Sequence, residues 1–173
     1  LIEANYLGQL RTGAASGVAT KYLARSDAGT LALFGSGFQA ETQLDAVTAV
    51  RALHTVRIYS RSQEKRDAFA AQASQRIGLP VQAIGSPQEA LDGADIVITA
   101  TSSSRPVFEG KDLPTGVHVN AAGSNAIIRT ELDRTAIQQM DRIFTDDLTQ
   151  AHLESGNLVQ ARERNALNWS RVR

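Results

Sequence analysis

Cysteine is absent from the 173 residues. Its absence excludes disulfides, thiolate zinc sites and a cysteine nucleophile. It suits a reducing cytoplasm, the expected location. Net charge is absent too, since 18 Lys plus Arg balance 18 Asp plus Glu. A neutral chain has no basic stripe for nucleic acid and no attraction to an anionic membrane surface, so neither is expected as a partner. No apolar run approaches the ~20 residues that span a bilayer. The three histidines, His54, His118 and His152, are scattered, so no metal site is expected. There is no internal repeat, no low-complexity stretch and no linker rich in Pro, Gly or Ser. What is present is 42% hydrophobic and 21% charged residues, an ordinary globular balance with material for a core. The chain opens on Leu1 rather than Met and is expected to be a piece of a longer protein.

Two periodicities alternate along the chain. Short β-branched runs read as strands at 30–34, 55–59, 81–84, 95–99, 117–121 and 142–145. Between most of them the apolar residues take helical steps: Ala40, Leu44, Val47 and Val50; Phe69, Ala73 and Ile77; Leu132, Ala136 and Met140. Ser86-Pro87-Gln88-Glu89 has a capping Ser, a first-turn Pro and a Glu three residues on, which predicts a helix start. Thr130-Glu131-Leu132-Asp133 predicts another, with Thr130 as cap and Glu131 as a first-turn acid. Strands alternating with helices imply an α/β fold of the doubly wound type: a mainly parallel sheet with helices on both faces. One domain is expected over 1–173, with a leading helical segment (1–25), a core (30–146) and a C-terminal helical segment (147–173).

The most informative stretch is Leu31-Ala32-Leu33-Phe34-Gly35-Ser36-Gly37-Phe38-Gln39-Ala40. A buried strand runs directly into Gly-x-Gly-x-x-Ala, and a helix follows. Gly35 permits the tight turn. Gly37 lets a pyrophosphate approach the backbone, and Ala40 lets the helix pack close to the strand. The helix N-terminus then faces the phosphates. A merely tight strand–helix turn would use the same glycines, but the placement near the start of an alternating pattern favours dinucleotide binding. The strand after it ends in Ser60-Arg61-Ser62, with no carboxylate before Glu64. A carboxylate there would hold the ribose of NAD(H) and repel a 2′-phosphate. Hydroxyls and a guanidinium suit that phosphate, so NADP(H) is expected to be preferred, with NAD(H) possible. Two later loops, Thr101-Ser102-Ser103 and Gly123-Ser124-Asn125, follow predicted strands, where open α/β sheets bind ligands. Their small polar residues let a nicotinamide ribose and ring lie against backbone.

The opening segment adds specificity. Gln9-Leu10-Arg11-Thr12-Gly13-Ala14-Ala15, the Gly-Ser-Gly-x-Gln-Ala turn, Gly93-Ala94-Asp95-Ile96-Val97 and Gly123-Ser124-Asn125 followed by Glu131-Leu132-Asp133 resemble, in order, the ornithine cyclodeaminase/mu-crystallin family. The resemblance covers nearly the whole chain. It implies a Rossmann-type NAD(P)-binding domain from a longer protein. The family's substrate and dimer-forming portion would lie elsewhere, so the isolated domain is expected to bind cofactor without efficient turnover and the whole protein to be a homodimer. It implies that Arg11 grips a substrate carboxylate and that Thr12 contacts the cofactor phosphates. Gly35, Ser36, Gly37, Phe38 and Gln39 would form the phosphate turn, and Ser60, Arg61 and Ser62 the adenine-ribose end. Thr101, Ser102, Ser103, Gly123 and Ser124 complete the expected cofactor contacts.

One departure matters. Where ornithine cyclodeaminases resemble Gly-x-Asp, this chain has Gly123-Ser124-Asn125. Asn125 hydrogen-bonds but takes no proton at neutral pH, which puts cyclising deamination in doubt. Asn125 is the catalytic-side candidate, lining the substrate. The expected activity is an NAD(P)-dependent oxidoreductase moving hydride to or from a small amino or imino acid. The alternatives are a lyase that recycles the hydride, of the cyclodeaminase or amino-acid dehydratase type, and a non-enzymatic crystallin-like NADPH binder. His118 reads as a packed strand residue, His54 and His152 as surface residues, Asp146-Asp147 as a helix cap, and 168–173 as a frayed end.

Overall fold

A computed structural model describes residues 4–173. The first three residues of the expected 1–25 helical segment lie outside the described residues. The chain forms two compact units: one runs to Ala100 and takes in Pro114–Ala122, and the other comprises Thr101–Leu113 and Gly123–Arg173.

The first unit holds α1 (Asn5–Leu23), β1 (Thr30–Phe34), α2 (Phe38–Thr48), β2 (Thr55–Tyr59), α3 (Gln63–Ile77), β3 (Val81–Ala83), α4 (Pro87–Leu91), β4 (Ile96–Thr99) and β5 (His118–Ala121). The five strands form one sheet in the order β3-β2-β1-β4-β5, and every pair is parallel. This is the expected doubly wound arrangement, with the order reversing between β1 and β4. Burial follows position. Central β1 and β4 are buried at every residue, β2 alternates, and edge strand β3 buries only Val81. Leu31, Leu33, Ile96 and Ile98 pack with Leu44 and Val47 of α2 and with Val56, Ile58 and Phe69. Each large apolar side chain so buried contributes roughly 1.5–3 kcal/mol.

Long-range polar contacts tie this unit together. Asp95 accepts from the backbone amides of Gly29 and Thr30, each at 3.0 Å, and pairs with Arg25. Arg51 donates to the carbonyls of Thr20 (2.8 Å) and Ala24 (2.9 Å), satisfying the C-terminal end of α1. On α1 the buried stripe is small and polar: Gln9, Gly13, Ser16, Gly17 and Thr20. A Cβ on Gly13 would lie 2.5 Å from the Thr42 carbonyl oxygen, so α1 and α2 meet nearly backbone to backbone.

The second unit contains 3₁₀ turns at Gly110–Asp112 and Trp169–Arg171 and the helices α5 (Arg134–Gln139), α6 (Leu148–Glu154) and α7 (Gly156–Glu163). Three expectations fail here. The strand at 142–145 is reduced to a single bridge, Ile143 to Val172, because its partner is an irregular segment and not the sheet. The helix expected to begin after Thr130 begins after Asp133, whose side chain caps it by accepting from Ala136 N at 2.7 Å. Thr130 N donates instead to the Ser103 carbonyl, and the Glu131 carbonyl accepts from Val107 N, so neither residue joins a helical ladder. Residues 168–173 are not frayed: Val172 is buried, and Trp169 stacks on His152 with ring centroids 3.6 Å apart. The caps at Ser86 and Asp147 are as expected, accepting from Glu89 N and Gln150 N.

Among the described residues no helix is long and apolar enough to cross a membrane.

Candidate functional site

The turn after β1 is built by two glycines with different jobs. Gly35 has φ +117°, a conformation open to glycine and strained for other residues, and its amide donates to the Tyr59 carbonyl at the end of β2 (2.9 Å). Gly37 is the N-cap of α2 with ordinary extended dihedrals, and a Cβ there would meet nothing within 4 Å. The fold therefore has no steric reason for glycine at position 37. The backbone at Gly37 is exposed and open. Ala40 is fully buried, as close helix–strand packing demands.

The end of β2 comes to the same place. Ser36 Oγ donates to Ser60 Oγ at 3.0 Å, and Ser60 sits one residue past the strand. Ser62 caps α3 by accepting from Lys65 N. Arg61 is exposed, and among the described residues its guanidinium has no partner. Two cations here escaped the sequence reading. Arg66 donates Nη1 to the Ser60 carbonyl (3.1 Å), and Lys65 lines an open groove with Ser36, Gly37, Phe38, Glu41 and Gln72. Their signal was local: both stand on the first turn of α3, three and four residues after the cap.

Helix α1 is fastened to the start of α2. Gln9 Nε2 donates to the Phe38 carbonyl, Thr42 Oγ1 donates to the Gln9 carbonyl (2.9 Å), and Gln43 Nε2 donates to the Thr12 carbonyl (3.1 Å). These bonds pack α1 along α2, with the Thr12 carbonyl held by Gln43. Thr12 is half-buried, and its hydroxyl donates to the Gly8 carbonyl at 2.8 Å. Arg11 is exposed and without a side-chain partner among the described residues. Gln39 is half-buried, and its Oε1 is buried with no hydrogen-bond partner among them.

In the second unit the loops after β4 and β5 are organised by one side chain. Thr101, through both its amide and its hydroxyl, and the Gly123 amide all donate to the buried carboxylate of Glu131. Thr101 Oγ1 also accepts from Ser103 N, so the expected contact residue Thr101 spends its hydroxyl inside the loop. Ser103 closes a turn with both backbone groups of Arg105, and Ser124 is buried. Ser102 and Asn125 are the exposed members, with Asn125 Oδ1 accepting from Arg129 at 2.9 Å.

His118 lies in β5, half-buried, its Nε2 3.1 Å from Asn120 Oδ1. Burial holds its pKa below the ordinary histidine value, aided by the charge of Arg51, against the opposing bond to Asn120. It is a packed residue in the framework.

A sequence model of the ornithine cyclodeaminase/mu-crystallin family matches residues 1–169. The chain belongs to this family. Among its relatives, a Δ1-pyrroline-2-carboxylate reductase of Bacillus cereus (strain ZK / E33L) is 43% identical over 94% of this chain and 50% of its own. The structure of Thermococcus litoralis Δ1-pyrroline-2-carboxylate reductase with NADH and L-proline superposes with a TM-score of 0.94. It is 32% identical and covers 98% of this chain and 52% of its own. The iminosuccinate reductase of Paracoccus denitrificans, solved with NAD+, superposes with a TM-score of 0.90 at 29% identity, covering 98% of this chain and 51% of its own. This family member thus spans about half the length of the relatives it matches.

Proposed function

We propose that the protein carrying this chain transfers a hydride between a nicotinamide dinucleotide and a small amino or imino acid, as a cyclic imino acid reductase or an amino acid dehydrogenase. The observation that carries this reading is the Gly35–Gln39 turn at the β1/β4 reversal, where strand β1 runs straight into the N-terminus of α2 with the Gly37 backbone exposed. The similarity to two imine reductases supports the substrate class.

The dinucleotide, when bound, supplies the hydride chemistry. The chain's own residues bind and orient. Backbone donors of the turn and the N-terminus of α2 hold the pyrophosphate. Arg11 offers a planar fork of donors to a substrate carboxylate. Asn125 hydrogen-bonds on the substrate side without moving a proton, which favours net hydride transfer over cyclising deamination. The exposed guanidinium of Arg61 and the hydroxyls of Ser60 and Ser62 make NADPH the preferred reductant. The homodimer is proposed to form through a portion outside this chain, which sedimentation of the full-length protein tests.

The deciding assay follows nicotinamide absorbance while the full-length protein is given Δ1-pyrroline-2-carboxylate. Stoichiometric oxidation of the cofactor supports the reading. Product formed with no net cofactor consumption overturns it in favour of a hydride-recycling lyase, and tight cofactor binding without turnover favours a binding protein.

A further inference from the structure

Among the described residues Glu131 is the carboxylate buried to zero exposure. Its Oε1 accepts from Thr101 N at 2.6 Å and from Thr101 Oγ1 at 2.7 Å, and its Oε2 accepts from Gly123 N at 2.8 Å. Its own backbone is held in turn. Glu131 N donates to the buried Asn157 Oδ1 at 2.9 Å, and its carbonyl accepts from Val107 N at 2.9 Å. Gly123 is required for this arrangement, because a Cβ would strike the Thr101 backbone and lie 2.5 Å from Glu131 Oε1.

Thr101 and Gly123 each lie two residues past Thr99 and Ala121, the last register pair of β4 and β5. The carboxylate therefore takes over where strand pairing stops, and it holds both departing chains with oriented donors. Burying a carboxylate costs several kcal/mol unless it is fully hydrogen-bonded. An apolar side chain would fill the same volume without that cost but would leave the Thr101 and Gly123 amides unpaired. Gln would set its amide donor against the Gly123 amide, and Asp is one methylene too short to reach both loops.

We infer that Glu131 is a positioning residue, whose carboxylate fixes the spacing of the Thr101 and Gly123 loops and so sets where the exposed Ser102 and Asn125 stand for hydride transfer. This inference rests on the hydride-transfer reading of the site. It assigns Glu131 no contact with the ligand and no proton transfer.

The test compares wild type, Glu131→Gln and Thr101→Val in the full-length protein, with three readouts. These are the Kd of ADP-ribose, which lacks the nicotinamide, the Kd of NADPH, and kcat and KM with Δ1-pyrroline-2-carboxylate. Glu131→Gln is expected to keep ADP-ribose affinity within about twofold while kcat falls by about 10- to 100-fold, the scale of a misplacement of the reacting groups. NADPH affinity should weaken more than that of ADP-ribose. Thr101→Val removes one donor to the carboxylate, together with the acceptor of Ser103 N, and should move the same readouts in the same direction by less. If Glu131→Gln does not fold, Thr101→Val decides alone. Variants that fold and retain wild-type kcat overturn the positioning role, as does a parallel loss of ADP-ribose affinity and kcat, the pattern of a general structural defect. A wild-type protein that binds neither ADP-ribose nor NADPH overturns the hydride-transfer reading itself, and the role of Glu131 with it.

Discussion

Replacing Gly37 with Ala separates what the fold needs from what a ligand needs. At φ −94° and ψ −174° alanine is unstrained, and its methyl group meets nothing within 4 Å. The substitution restricts the unfolded chain, a gain of about 0.4–1 kcal/mol. It also replaces a tolerated N-cap residue by a poor one, a loss of about 0.5 kcal/mol. The two nearly cancel, so the melting temperature should move by no more than about 1–2 °C. Binding is a different matter. A methyl group in the space of a pyrophosphate oxygen acts like overpacking and costs about 1–3 kcal/mol, which is roughly a 5- to 150-fold loss of affinity. Thermal melts with calorimetric titration of NADPH into the full-length protein measure both quantities. Gly13→Ala is the matched control. Its Cβ would lie 2.5–2.8 Å from the backbone and Cβ of Thr42, so it should lower stability by about 1–3 kcal/mol. Unchanged NADPH affinity in Gly37→Ala would refute the assignment of the turn. A large drop in its melting temperature would show that position 37 is not open in the free protein.

Other outcomes follow from the same geometry. Arg61→Ala should weaken NADPH by about tenfold, the scale of one lost charge-assisted contact, and leave NADH nearly unchanged; equal loss of both removes the 2′-phosphate argument. Arg11→Ala should raise KM for the imino acid more than Kd for the cofactor, and an equal effect on both would end its carboxylate role. His118 has a folded-state pKa below its unfolded value, chiefly through burial. The unfolded chain therefore takes up the proton first, and stability should fall as pH drops through about 6.5. Melts of wild type and His118→Gln across that range check this: the variant should lose less stability on acidification, and identical slopes would contradict the assignment.

Much of the framework was legible from local pattern. Period-2 and period-3.6 segments depend on a residue's immediate neighbours, and they located the five strands of the sheet and the helices between them. Capping is equally local, which is why Ser86 and Asp147 stand where their spacing said. The Gly35–Gly37 turn was readable because its chemistry lies within a few consecutive residues.

The failures share one physical cause. Thr130 and Glu131 have the spacing of a helix start, yet Glu131 bonds to Thr101, 30 positions away, and to Gly123, and Asn157 claims its amide. Ile143 has strand composition, but it bridges to Val172 and not to the sheet. Arg66 carried no sequence signal, and only the fold brings it to the Ser60 carbonyl. The sequence by itself determined the parallel α/β framework and the glycine turn after β1, because both are set by interactions between near neighbours. Only the tertiary structure decided which polar groups leave water and where their bonds go. A buried carboxylate is stable only with several oriented donors, and the fold supplies those from distant parts of the chain.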